Sequence, residues 1–183
     1  MTKKVEKILF VLVLFIIFIS IFSISFATSR ATYAVLNVWS VDSGKHLDWS
    51  GTTQYWGNWW TGINTWNNYK NGVIRQDGAL TVNDVTISDV SFIATGVNAR
   101  TEQKGTGHSL ATTIKFATSQ MDQLSNLKKD IVCTHEIGHT LGLNENNGST
   151  QNVMYQDMSY NSSNNVLSAQ DKMNYDYMYN NKY

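Results

Sequence analysis

Proline is absent from all 183 residues, and cysteine occurs once, at Cys133. A lone thiol excludes any intramolecular disulfide, and a chain of this length can bury enough apolar surface to do without one. The missing proline has no evident physical cause, so helix ends are read from glycine and from capping residues. Charge is scarce as well: only 15% of residues are Asp, Glu, Lys or Arg, and the formal net charge is zero. No field of one sign is present to attract a polyanion, so no nucleic-acid partner is expected. What is there is 42% hydrophobic and rich in Asn, Ser, Thr, Gly and aromatics, enough for one domain with a real core; a monomer is expected.

The amino-terminal stretch reads as a targeting segment. Lys3, Lys4 and Lys7 precede an apolar run from Ile8 to Phe26, and Ser25-Phe26-Ala27 supplies small residues at signal-peptidase spacing. Residues 1–27 are therefore expected to be a signal peptide and residues 28–183 a single secreted domain. The alternative is an uncleaved, outward-facing membrane anchor, because about 20 apolar residues span a bilayer. Residues 1–27 carry three lysines against Glu6, so their removal takes the formal charge from 0 to −2.

Along the rest, apolar residues at Val35, Leu36, Val38 and Trp39 predict a first strand within 33–41. Tyr55, Trp56, Trp59, Trp60, Ile63 and Trp66 follow helical three-and-four spacing, with Thr52 or Thr53 as N-cap and Asn71-Gly72 as stop. Core packing explains these tryptophans; a carbohydrate-stacking platform is the alternative. Residues 72–101 predict several short strands, including Leu80, Val82, Val85, Ile87, Val90, Phe92 and Ile93, and 111–116 one more. Residues 104–108 read as a turn. Helical spacing returns over 124–143 through Leu124, Leu127, Ile131, Val132, His135 and His139, closed by Gly142. Residues 149–165 read as loop, and Ser168 with Asp171 predicts the cap of a last helix. This order predicts a mixed α/β or α+β domain on one sheet.

His135-Glu136-Ile137-Gly138-His139 places two histidines one helical turn apart, about 6 Å along the axis and on one face. Two imidazoles so placed can share a zinc ion. Glu136 stands where its carboxylate can take a proton from a water activated by that ion. With only four histidines in the chain, chance would produce the pattern in roughly one such chain in several hundred. A catalytic zinc wants a third protein ligand, and Glu145, Asp157, His46 and His108 are the candidates.

The longer stretch His135 to Glu145, HEIGHTLGLNE, resembles the metzincin signature, in which a glycine follows the second histidine by three and the third ligand follows the glycine by three. Gly142 matches and Glu145 occupies the ligand position. Metzincins usually place His there, or Asp in a few small bacterial members, so Glu is a departure, although a carboxylate oxygen is a competent zinc ligand. Asn152-Val153-Met154-Tyr155 resembles the Met-turn, with Met154 as an apolar floor under the histidines. Val166 to Asp171 is similar to the start of the last matrixin helix. The resemblance implies a twisted mixed sheet over two main helices, a small carboxy-terminal subdomain with a final helix, an extended peptide along the sheet edge and an apolar pocket beside Met154 and Tyr155. It implies a zinc endopeptidase acting on peptides or proteins; relatives often bind calcium as well, although no loop of alternating acidic ligands is visible.

Other readings remain open at this stage. Cys133 is a small buried residue or, with His108, part of a Cys/His hydrolase. The chain could be an inactive relative, or a secreted zinc-containing surface or carbohydrate-binding protein.

Overall fold

The computed structural model describes residues 32–79, 81–109, 111–157 and 164–183. The expected signal peptide and Leu80 lie outside the described residues. A division falls after Thr32, and Tyr33–Tyr183 forms one compact unit. Among the described residues no helix is long and apolar enough to cross a membrane.

Seven strands and four helices are described: β1 (Val38–Trp39), β2 (Leu47–Gly51), α1 (Trp56–Asn67), β3 (Ile74–Gln76), β4 (Val85–Val90), β5 (Ala99–Glu102), β6 (Gly107–His108), β7 (Thr112–Ala117), α2 (Thr118–Met121), α3 (Asn126–Thr140) and α4 (Ala169–Asn181). The main sheet has the order β3-β2-β4-β7-β5. Its first four strands are parallel and β5 runs antiparallel to β7 at the edge. A parallel pair needs a crossover, and α1 supplies it between β2 and β3. Val85 and Ile87 are buried while Thr86 between them is exposed, the alternation of a sheet with one face on the core.

Of the tryptophans expected to pack, Trp59 and Trp66 do so, Trp60 is partly buried and Trp56 is exposed. Trp59, Ile63 and Trp66 of α1 are buried with Phe116, Val132 and Ile137. Trp49 meets Trp59 edge-to-face at 5.3 Å, and the Trp66 indole N–H donates to the Thr134 carbonyl of α3 at 2.8 Å. That bond ties the two main helices together where their apolar faces meet. Each buried aromatic side chain contributes about 1.5–3 kcal/mol of apolar transfer.

Several expectations are corrected. β2, beside the sheet's centre, was not foreseen, because its alternation covers only Leu47 to Ser50 and includes a charged residue, Asp48. Asp48 is nevertheless buried, held by two bonds from the Arg75 guanidinium at 3.0 and 2.7 Å, the bidentate pairing that makes a buried carboxylate tolerable. The expected first strand reduces to β1, which pairs with β6 in a separate two-stranded sheet. Residues 104–108, read as a turn, thus contain a strand. The third helix begins at Asn126 rather than at Leu124, and Leu127, assigned to its apolar side, is exposed. At the carboxy-terminal end the capping box forms as expected, with Ser168 and Asp171 exchanging bonds.

Candidate metal centre

α3 starts at Ser125, whose hydroxyl accepts from the Lys128 N–H and so satisfies one of the unpaired first-turn donors. Its run from Ile131 to Gly138 is buried, which fixes the rotation of the helix about its axis. That rotation aims His135 and His139 to one side, their rings edge-to-face with centroids 4.7 Å apart.

The helix then ends by design of its backbone. The Leu143 N–H donates to the Gly138 carbonyl at 3.0 Å and the Gly142 N–H to the His139 carbonyl at 2.9 Å, the paired bonds of a Schellman ending. Gly142 has φ of 78°, a conformation that costs an L-residue with a side chain roughly 1–2 kcal/mol. The reversed chain is then gripped from outside. The Leu36 N–H donates to the Gly142 carbonyl at 2.7 Å, the Asn144 N–H to the Ala34 carbonyl at 3.0 Å, and the Ser40 N–H to the Thr140 carbonyl at 2.8 Å. Val35 and Leu143 face each other in an antiparallel bridge. Residues 34–40 are thus a strap over the turn that delivers Glu145.

His135, His139 and Glu145 are brought together: one ligand atom from each lies within 4.8 Å of the others, and among the described residues no other group of three such side chains does so. Glu145 Oε1 stands 3.5 Å from both His135 Nε2 and His139 Nε2. The opposite ring nitrogens are committed. His135 Nδ1 is 2.9 Å from the Val153 carbonyl and His139 Nδ1 2.9 Å from the Leu143 carbonyl. Since a carbonyl only accepts, each Nδ1 carries a proton and each Nε2 is turned to the shared point.

Burial opposes the ionised form of Glu145, but the contacts with His135 and His139 outweigh it and pull its pKa down to about 2. Burial likewise opposes charge on the His135 ring, yet the Glu145 contact and the Glu136 and Glu145 charges prevail and raise its pKa above 6.5. The cluster is built to hold a positive charge at its centre.

The other three candidates are elsewhere. His46 lies in the turn where its N–H donates to Asp42 at 2.8 Å. His108 pairs with buried Asp84 at 3.3 Å. Asp157 lines the same cleft as the cluster without joining it. Cys133 is fully buried, and burial, followed by the Asp130 charge, pushes its thiol pKa well up, the reverse of what a nucleophile needs. Nor do the tryptophans make a flat platform: Trp59 and Trp66 are buried, and Trp56 meets Trp60 at 82°.

Met154 is fully buried beneath the helix. A side chain at Gly138 would place its Cβ 2.2 Å from the Met154 sulfur and 3.1 Å from the Trp66 ring, so glycine is what lets the methionine floor approach. Gly138→Ala is expected to destabilise the protein by about 1–3 kcal/mol through overpacking, read from urea denaturation. The turn carrying Met154 is anchored by Asp171, whose carboxylate accepts from the N–H groups of Ser168 and Val153, each at 2.9 Å. The last helix's cap thereby also positions the Val153 carbonyl that orients His135.

A cleft of about 960 Å³ opens above the cluster, lined by Gly96 to Thr101, by Leu124, Lys128 and Val132, by His135, Glu136, His139 and Glu145, and by Gln156 and Asp157. Met154 and Tyr155 are not among the residues that line this cleft, whose apolar wall comes from Val97, Leu124 and Val132. Sequence reasoning also missed Thr101, whose hydroxyl donates to Glu136 Oε2 at 2.6 Å. A single threonine on a strand carries no sequence signal for such a role.

The profile of the matrixin peptidase family matches residues 58–180. The chain belongs to the matrixin family. Its mixed five-stranded sheet with a carboxy-terminal helix agrees with a matrixin-like fold. None of the curated proteins compared with this matrixin matches it. Membership makes it a metallopeptidase by family and implies zinc. The residues fit that ion. A tetrahedral ion about 2.1 Å from its donors separates them by roughly 3.4 Å, close to the 3.5 Å between Glu145 Oε1 and each imidazole. Glu145 Oε2 is buried without a hydrogen-bond partner, an acceptor that a cation would satisfy.

Proposed function

We propose that this matrixin is a secreted, monomeric zinc endopeptidase in which His135, His139 and Glu145 hold the ion and Glu136 is the general base. The observation that carries the reading is the convergence of two Nε2 atoms and one carboxylate oxygen beside Glu136 in one open cleft. Zinc, when bound, makes water acidic near neutral pH and polarises a carbonyl. The chain's own residues do the rest. Glu136, 7% exposed, takes a proton from the attacking water and returns it to the departing amine, as a carboxylate within hydrogen-bond reach can. β5 is the sheet edge beside the cleft, so an extended peptide can add to it as a further strand, held by main-chain bonds. Lys3, Lys4, Lys7 and the apolar run to Phe26 support export.

The test is removal and return of the metal. Purified residues 28–183 are expected to hold one zinc per chain, to cleave casein, to stop after chelation and to resume when zinc is restored. Zinc binding without any cleavage would refute the peptidase reading.

Acid should release the ion. Zinc needs neutral imidazoles, and in the metal-free cluster His135 holds its proton to above pH 6.5, so affinity falls as pH drops through neutrality. The metal-free protein has the opposite sense: a raised folded pKa gives a His135 contribution that is complete below pH 6.5 and lost as pH rises through the folded value. Chelator competition and thermal unfolding between pH 8 and 6 are therefore expected to show weaker zinc binding, and a His135 contribution that favours the metal-free fold, at the acid end.

A further inference from the structure

β5 turns alternate side chains to opposite faces. Glu102 reaches the sheet's outer face, where it pairs with Lys115 at 2.8 Å. Ala99 and Thr101 point the other way, towards α3. Thr101 sits opposite Ile114 in the ladder with β7, so its main chain is fixed by the sheet. Its hydroxyl stands 2.6 Å from Glu136 Oε2 and 3.1 Å from the Glu136 carbonyl oxygen. One proton cannot serve both equally, and the shorter contact to the carboxylate takes it, as charge-assisted bonds do.

We propose that Thr101 is a positioning residue: its hydroxyl locks the Glu136 carboxylate by Oε2 and leaves the other oxygen for proton transfer. This rests on the reading of Glu136 as base. A glutamate has three side-chain torsions, and a free carboxylate in this cleft has a cationic competitor, since Lys128 lines the same wall. The anchor comes from the edge strand to which the substrate adds, so the strand that aligns the scissile bond also aligns the base. Relative placement of the two is then set by one rigid element, and misplacement by about 1 Å can cost roughly 100-fold in rate.

The test uses Thr101→Val, which keeps the shape and removes the donor, with Thr101→Ser, which keeps the donor and removes a methyl. In zinc-loaded protein, Thr101→Val is expected to lower kcat about 10- to 100-fold with KM and zinc content unchanged, and Thr101→Ser to restore most of it. The carboxylate carbon resonance of Glu136, one of four glutamates, is expected to move in the valine variant and return in the serine variant. Unchanged kcat in Thr101→Val, or a loss expressed in KM or in zinc content alone, would overturn the proposal. If valine disturbs folding, Thr101→Ala and Thr101→Ser decide it, because both remove the methyl and only serine should keep most of the wild-type kcat. Should Glu136→Gln itself retain activity, the base assignment fails, a result distinct from any Thr101 outcome.

Discussion

Glu136→Gln is expected to lower kcat for peptide cleavage by about 10²–10⁴-fold, the usual worth of a positioned general base, while zinc content stays at one per chain. Gln is nearly isosteric and can still accept the Thr101 hydroxyl bond through its amide oxygen, so the carboxylate-to-hydroxyl contact at 2.6 Å need not be lost. What disappears is the ability to take a proton. Glu136 is not among the three groups that converge on the ion site, which is why metal retention and catalysis should separate. Metal content by atomic absorption, measured beside casein turnover, checks both halves. Full activity in the variant would transfer the base role to another group.

Glu145→Ala should show the complementary loss. Removing it leaves two imidazoles and no anionic donor, and the zinc dissociation constant is expected to rise by more than the 10- to 100-fold typical of losing an outer-shell partner. The two histidines should stay oriented, because the Val153 and Leu143 carbonyls hold their Nδ1 atoms independently of Glu145. Competition against a chromophoric chelator measures the affinity directly. If zinc were held as tightly by the alanine variant, Asp157, the candidate nearest in the cleft, would become the next residue to substitute.

The difference in legibility between these residues has a physical origin. The two histidines and Glu136 could be read because helical geometry converts a spacing of four into a shared face, and Gly142 because only a positive φ explains a glycine there. Glu145 was legible only by position relative to that glycine; the strap of residues 34–40 that fixes its turn left no trace in the pattern, since main-chain bonds do not depend on side-chain identity. β2 was hidden by Asp48, whose burial depends on Arg75, a residue 27 positions later. Thr101 was hidden for the same reason: contacts between distant segments are made by the fold and are not written in local periodicity. The aromatic helix face, by contrast, predicted Trp59 and Trp66 in the core correctly, because packing of a regular element does follow its period.

The strap links two things that are far apart in the chain. Leu36 and Ala34 bond the turn that presents Glu145, and Ala34 also donates to Asn174 of α4 at 3.2 Å. Thermodynamic linkage is reciprocal: any factor by which seating of this amino-terminal ribbon tightens ion capture is the factor by which the captured ion tightens the ribbon. Events in residues 34–40 and occupancy at the metal site therefore share one free energy.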